Sequence, residues 1–329
     1  MSSLKKNHCC VFSDDERMVL EYLSDKKYHS GVQLGSVLNK SRTTIMNYMK
    51  KLSDSGLLIN KVIGRGYQLQ IVPEFYDRRI LLKRPNISFF DTVDSTNQFL
   101  LEQSDVSEGT VVLTDFQSHG RGRRGRDFLS SYGTQIMFSY ATNFKEIGEI
   151  NGLSIVIGIA VVKALESVGI NNVQIKWPND LYINGQKVGG ILVETSCSKK
   201  GVYTVIGVGI NVVRDFLFLV DLSKLDREIG AIDISKHGIS RSEMVLLLCE
   251  YIDKYIANFK RVGLQPYIET YNNYDAFAGS NVRIITNERI IEGVNGGINA
   301  TGAIILYTQE GKLVEVVAGD VSLRKADIT

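Results

Sequence analysis

The chain has 329 residues, of which 44% are apolar and 22% charged, and its formal net charge is +2. That length exceeds what one core usually serves, so two or three domains are expected. The near-neutral balance excludes a general attraction to polyanions, and any nucleic-acid contact must come from a local basic patch. Cys9, Cys10, Cys197 and Cys249 show neither paired metal-ligand spacing nor a disulfide framework, and MSSLKKNHCC lacks the apolar run of a signal peptide. The apolar stretch LSIVIGIAVVKAL at 153–165 is too short and interrupted to span a membrane, so a cytoplasmic protein with no membrane partner is expected.

Three helix patterns occupy the first seventy residues, each opened by a capping signal. Ser13 with Glu16 and Ser30 with Gln33 read as capping boxes, and Val19, Tyr22, Leu23, Leu34, Val37 and Leu38 supply the apolar faces. A third helix starts at Ser41, with Ile45, Tyr48, Met49 and Leu52 inward and Gly56 at the left-handed C-terminal position. Lys40 and Ser41 alone separate the second and third patterns, which is a helix-turn-helix spacing. LLINKVIGRGYQLQ at 57–70 then reads as a hairpin with a basic tip at Gly64-Arg65-Gly66. This is the layout of a winged helix, whose DNA-facing residues would be Ser41, Arg42, Thr43, Thr44, Asn47, Lys50 and Arg65. A small helical interaction module is the competing reading.

Residues 72–86, bracketed by Pro73 and Pro85, read as a linker with a helical turn or two. From there strands (ISFFDTV, GTVVLTDF, TQIMFSYA, VQIKW, DLYING, KVGGILVETS, YTVIGVGINVV) alternate with helices near 95–103, 151–168 and 241–262, a mixed α/β pattern built round a sheet. After Tyr274 short β runs separated by turn residues suggest a small β-barrel. The expected domains are therefore 1–71, 87–274 and 275–329, joined through 72–86.

Four segments of the middle region carry too many glycines and polar residues for ordinary core strands: DSTNQ at 94–98, QSHGRGRRGR at 117–126, KWPNDL at 176–181 with KVGG at 187–190, and GVGIN at 207–211. The Arg/Gly loop should stay mobile until an anion neutralises it, since like charges repel and glycines lose entropy on ordering. It lacks the lysine and Ser/Thr of a Walker loop, which argues against an ordinary P-loop enzyme. Read singly, the loop also fits a solvated basic turn, Ser95-Thr96-Asn97 a helix cap, Trp177-Pro178 packing and a strand stop, and Lys187 an exposed hairpin residue. Gly189 and Gly190 argue that something approaches the backbone closely there. His8, His29, His119 and His237 are scattered and offer neither a metal pair nor a triad, and Cys197 reads as a small apolar filler.

In this order, DSTNQ, GRGRRGR, KWPNDL with KVGGILVE, and GVGIN resemble biotin protein ligase, and the preceding winged helix resembles the bifunctional members that also repress the biotin operon. The likeness runs nearly the whole chain, including HSGVQLG and the terminal SLR. It implies a central catalytic domain of class II synthetase type and an SH3-like C-terminal barrel. It also implies that Ser95, Thr96, Asn97, Gln117, Arg121, Gly122, Arg123 and Lys187 bind biotin, while Arg121, Arg123, Asn179, Asn211 and Arg324 serve the nucleotide. Arg124 and Arg126 would support the loop or contact phosphate.

The implied chemistry converts biotin and Mg2+-bound ATP to biotinyl-5′-adenylate, then transfers biotin to a lysine of the biotin carboxyl carrier protein of acetyl-CoA carboxylase. Lys187, Arg121 and Arg123 would stabilise developing charge, and Asp180 would orient or accept the incoming amine's proton. The adenylate-bound protein would repress as a homodimer on operator DNA. Two departures stand out: Asp127-Phe128 replaces a basic-aromatic pair, and DFLFLVDLSKLDREIG at 215–230 has no tryptophan, with Phe216 or Phe218 as candidate replacements. A biotin-sensing transcription factor without ligase activity and a lipoate-type ligase are the alternatives.

Overall fold

The computed structural model describes residues 12–103, 106–199, 201–212, 229–285 and 290–317, together with the backbone of 322–325. Helices α1 (Asp14–Leu23), α2 (Gly31–Leu38) and α3 (Arg42–Asp54) begin at the predicted caps. Ser13 with Glu16 and Ser30 with Gln33 form reciprocal capping boxes, and Ser41 Oγ accepts from Thr44 N–H at 3.1 Å. Val19, Leu20, Leu34, Ile45 and Leu52 meet in a dry core, which leaves the polar side of α3 outward. Strands β1 (Ile59–Val62) and β2 (Gly66–Leu69) pair antiparallel behind it, with Gly64-Arg65 at the tip, completing a winged helix-turn-helix.

This winged helix is seated on the next domain through specific contacts. Gly56, at φ +85°, follows α3, and a Cβ there would fall 2.2 Å from the Phe116 ring. Its carbonyl accepts from Tyr132 N–H at 3.3 Å, and the Phe12 and Tyr132 rings lie 5.2 Å apart. Asp91, buried, accepts from Phe12 N–H at 3.2 Å, Arg17 at 3.3 Å and the Tyr132 hydroxyl at 3.3 Å. Burial pushes its carboxyl above the usual range, and Arg17 and Arg78 oppose that shift.

The predicted linker is built into the core. It contains α4 (Arg78–Leu81), and Glu74 and Tyr76 wrap the first residue of the long helix α7 (Arg241–Val262). Arg241 is fully buried: its guanidinium donates to the Glu74 and Gln135 carbonyls and, at 2.7 Å, to Asp115, and it lies 4.0 Å over the Tyr76 ring.

The central sheet has seven strands: β3 (Ile87–Val93), β4 (Val111–Gln117), β5 (Gln135–Phe144), β6 (Val173–Lys176), β7 (Asp180–Ile183), β8 (Gln186–Ser198) and β9 (Gly201–Asn211). Their order is β3-β4-β5-β9-β8-β7-β6, with β3 parallel to β4 and the other neighbours antiparallel. Strand alternation splits the apolar side chains between two faces. Val111, Leu113, Phe138 and Ile206 point to α6 (Leu153–Ser167) and α7, whereas Val112, Ala141 and Val205 point to α5 (Thr96–Leu101). Among the described helices, Ile147–Ser167 alone is long and apolar enough to cross a membrane, and α6 within it is packed against α7, β6 and β8.

Helix α8 (Ile268–Tyr274) has no counterpart among the predicted elements, because IETYNNY is a poor intrinsic helix former. Burial of Tyr271 against the core holds it. The tail is an antiparallel sheet of β10 (Asn281–Ile285), β11 (Ile290–Ile298), β12 (Ile304–Tyr307), β13 (Leu313–Val316) and β14 (Ser322–Lys325), in the order β13-β12-β11-β10-β14. Its core of Val282, Ile284, Ile304 and Leu306 is continuous with that of the central domain.

The Arg241–Asp115 pair generates a prediction. Burial lifts the Asp115 carboxyl to about 6, against the pull of Arg241, so its charge opposes folding above the unfolded value and that cost fades as pH falls through 6. Arg241→Met should destabilise the protein by about 3–5 kcal/mol at pH 7, the cost of leaving a buried charge unpaired. The loss should shrink at pH 5, where Asp115 takes up a proton. Urea midpoints at both pH values measure it, and equal losses would contradict the assignment.

Candidate active site

One face of the two central strands is stripped of side chains. On β9, Ile206, Val208 and Ile210 enter the core, while Val205, Gly207 and Gly209 face the other way. Register puts Gly209 between Met137 and Gly190, and Gly207 between Ser139 and Leu192. The result is a cleft with about 1080 Å³ of empty space, its open mouth included. The glycines have steric reasons. A Cβ on Gly207 would lie 2.4 Å from Asn97 Oδ1, one on Gly209 2.7 Å from the Phe128 ring, and one on Gly189 2.5 Å from the Gly209 carbonyl.

One wall is neutral and polar, built at the start of α5. Ser95 caps that helix, Gln117 Oε1 accepts from Thr96 N–H at 2.8 Å and from Thr96 Oγ1 at 3.1 Å, and Ser139 Oγ lies 2.7 Å from Thr96 Oγ1 and 2.5 Å from Asn97 Oδ1. Asn97 is 3% exposed. Its Nδ2 donates to Glu194 at 2.7 Å and to the Leu192 carbonyl at 3.3 Å, so its amide is engaged by the protein and acts as a tie within the wall. Ser139 and Glu194 have no mark in the sequence that sets them apart from the other polar residues of β5 and β8; the register alone brings both to the Asn97 side.

The opposite wall is charged. The β6–β7 turn and the start of β8 bring Lys176, Asn179, Asp180 and Lys187 together, and Lys187 is ion-paired with Asp180. Asn179 accepts from Arg123 at 3.2 Å and donates to the Ile191 carbonyl at 2.8 Å. Lys176 was not singled out from sequence as a ligand; its ammonium sits 5.3 Å over Tyr182 and 5.6 Å over Phe277. Trp177, fully buried beside these residues, donates from Nε1 to the Gly302 carbonyl of the C-terminal domain at 2.9 Å.

The Arg/Gly loop roofs the cleft. The sequence reading expects an anion to be needed for its order. In the structure its backbone closes on itself: Gly122 N–H reaches the Arg126 carbonyl at 2.7 Å, Phe128 N–H the Gly120 carbonyl at 2.8 Å, and Arg121 bridges Asp127. Arg124 adopts φ 61° at the turn. Part of the charge is met by protein, Arg121 by Glu194 at 3.0 Å and Arg123 by Asn179, which is why the loop holds this shape. Six cationic side chains and two carboxylates line the cleft, so the roofed end favours an anion.

Two other expected residues fall elsewhere. Asn211 is buried behind the floor, accepting from Gln135 at 2.8 Å and donating to the Gly230 carbonyl at 2.9 Å. Arg324 lies on β14 with its backbone opposite Arg283. Phe216 and Phe218 lie outside the described residues. In the winged helix, Arg42, Thr43, Asn47 and Lys50 form an exposed side of α3, Ser41 and Thr44 are occupied in its cap, and Arg65 is exposed, 5.0 Å over Tyr28.

Comparison with known proteins agrees with this arrangement. Residues 89–211 match the Biotin/lipoate A/B protein ligase family, residues 16–68 an HTH domain, and residues 277–324 the Biotin protein ligase C terminal domain. The chain is similar to the Bifunctional ligase/repressor BirA of Escherichia coli (strain K12), 32% identical over 94% of this chain and 97% of that one. It is 28% identical to the protein of the same description from Bacillus subtilis (strain 168), over 98% and 99%. Its structure is similar to the biotin protein ligase from Aquifex aeolicus in complex with biotin and ATP, with a TM-score of 0.63 and 29% identity over 74% of this chain and 100% of that one.

The polar wall can be tested directly. Gly207→Ala must push the Asn97 amide out of place, which should cost about 1–3 kcal/mol through lost buried hydrogen bonds. Removing the Ser139 hydroxyl in that background should then cost less than it does in the wild type, because only its bond to Thr96 is left to lose. Urea denaturation of Gly207→Ala, Ser139→Ala and the double variant closes the cycle, and additive losses would show that the two residues do not share a network.

Proposed function

Because the chain belongs to the biotin protein ligase family, with bifunctional ligase/repressors among its relatives over nearly its full length, we propose that the roofed cleft is where it binds biotin and ATP. The protein is a bifunctional biotin ligase and biotin-dependent repressor. It joins biotin to AMP and transfers the biotinyl group to a lysine of the biotin carboxyl carrier protein, and its winged helix binds operator DNA.

The observation that carries the site assignment is the polarity of the cleft, neutral hydrogen-bonding groups at one end and cations at the other. Biotin has the same polarity, a ureido ring and a carboxylate. Thr96, Asn97 and Gln117 line the end suited to the ring, and Ser139, buried behind them, braces Thr96 and Asn97. Lys187, Arg123 and Asn179 form the end suited to the carboxylate and the α-phosphate. The cation set also fits the polyphosphate of ATP, which brings Mg2+ as part of the substrate.

In the first step a biotin carboxylate oxygen attacks the α-phosphorus, a C–O–P linkage forms and pyrophosphate leaves. In the second a lysine amine of the carrier attacks the acyl carbon, a C–N bond forms, AMP leaves and the amine gives up a proton. Negative charge builds on oxygen in both steps, and ammonium and guanidinium groups held by protein partners stabilise it without reorganising. Asp180 orients Lys187 through their ion pair and is the carboxylate we assign to take the amine proton. The roof shields the mixed anhydride from water.

Repression follows from the same ligand. Arg42, Thr43, Asn47 and Lys50 are the base- and phosphate-facing set of α3, Arg65 contacts the backbone from the wing, and Ser41 and Thr44 hold the helix start. The adenylate-loaded protein forms a homodimer that presents two winged helices to a palindrome, and carrier and operator are alternative destinations of the loaded form.

Pyrophosphate release from ATP with biotin and then with lipoate, followed by the mass of an added carrier domain, tests the reading. Biotin-dependent release and a biotin-sized mass gain are expected; release with lipoate alone would overturn it. Lys187→Ala should lower pyrophosphate release by about 100-fold or more, the scale of losing a preorganised charge at a developing oxyanion. In sedimentation velocity the protein should move from monomer to dimer on adding biotin with ATP, and an unchanged monomer would remove the dimer from the scheme.

A further inference from the structure

We propose that Glu194 is a positioning residue of the ligase, a latch that ties the Arg/Gly loop to the polar wall and thereby retains biotinyl-5′-adenylate. The inference rests on the ligase reading above. Glu194 lies on β8 in register with Val205, on the stripped face of the sheet and just beyond the residues that line the cleft. Both of its carboxylate oxygens are within 3.0 Å of the Arg121 guanidinium, and Oε2 also accepts from Asn97 Nδ2 at 2.7 Å. One carboxylate therefore joins the first arginine of the roof to a residue of the ring-binding wall.

An ion pair of two exposed groups would carry little weight. This one differs in its surroundings. Its third member, Asn97, is 3% exposed, is tied also to Ser139, and has no room to shift because Gly207 abuts its Oδ1. The side chain of Glu194 is itself only 27% exposed. A carboxylate beside a site for an anionic adenylate is unfavourable unless a cation neutralises it, and Arg121 does so. That pairing commits the charge of Arg121 to the roof and leaves the phosphate to Arg123 and Lys187. Arg121 further bridges Asp127, so holding Arg121 holds both strands of the loop at once.

Removing the latch should shorten the stay of the adenylate more than it slows chemistry. With preformed labelled adenylate and an unlabelled chase, Glu194→Gln should lose the ligand about tenfold faster, a difference of about 1.4 kcal/mol. Without carrier, turnover waits on loss of the adenylate, so steady-state pyrophosphate release by Glu194→Gln should be faster than by wild type, a gain that a merely structural defect would not give. Arg121→Gln should match it in lifetime, and the Arg121→Gln/Glu194→Gln double variant should be no worse than either. Unchanged lifetimes, or additive ones, would overturn the latch. Trypsin cleavage at Arg121–Arg126 of the ligand-free protein supplies a readout independent of the reaction, and Glu194→Gln should be cut several-fold faster than wild type. If wild type makes no adenylate the ligase reading fails, and equal trypsin cleavage would then still overturn the latch.

Discussion

The absence of side chains from one face of β8 and β9 is the constraint on which the site depends. Gly190, Gly207 and Gly209 leave bare backbone where a packed layer would otherwise lie. A floor of bare backbone offers few groups of its own, so the functional side chains come from the edges of that floor. Three sources supply them: the start of α5, the Arg/Gly loop, and the β6–β7 turn with the first residues of β8. Each glycine also serves the wall above it, since Gly207 admits Asn97 and Gly209 admits Phe128. Floor and walls are thus mutually dependent, and the glycines weaken their strands while creating the space that a ligand fills.

Charge is distributed by the same logic. Arginines in a glycine-rich loop repel one another, and a ligand anion is one way to relieve that repulsion. The protein supplies another through Glu194, Asn179 and the backbone closure of the loop. What remains is a roof with net positive charge over a floor of low polarity, a geometry in which fixed charges act strongly on developing negative charge. Asp127-Phe128 fits here too: the Phe128 ring covers Gly209, so the aromatic position of the loop is filled although the residue before it is acidic.

Much of this was legible in the sequence, for identifiable reasons. Capping boxes at Ser13 and Ser30, the left-handed Gly56 and the Gly64-Arg65-Gly66 tip are local signals, and the structure contains each of them. Strand alternation separated the two faces of the sheet, and an excess of glycine marked the site segments. Tertiary context decided the rest. Helix α8 forms against its own propensity because Tyr271 is buried, and the segment around Glu74 and Tyr76, polar enough to read as a linker, is drawn inside by Arg241. Ser139 and Glu194 are ordinary polar residues of long strands, and only the register of β5, β9 and β8 reveals that they face Asn97. Asn211 illustrates the reverse, a residue of the right type at a motif position whose amide is consumed by Gln135 and Gly230.

The seat of the winged helix and the roof of the cleft share their attachments. The loop leaves β4 after Phe116 and Gln117 and returns at Ser131 and Tyr132. Phe116 and Tyr132 are the residues that receive Gly56 at the end of α3, and Gln117 holds Thr96 in the polar wall. Asp91 extends the connection to Phe12 and Arg17 at the start of the winged helix. The stretch of chain that carries the loop therefore carries residues of the winged helix's seat at both of its ends. Phe116 and Tyr132 thus flank the Arg/Gly loop in sequence while holding Gly56 in space, so the roof of the cleft and the seat of the winged helix are built on one short run of the chain.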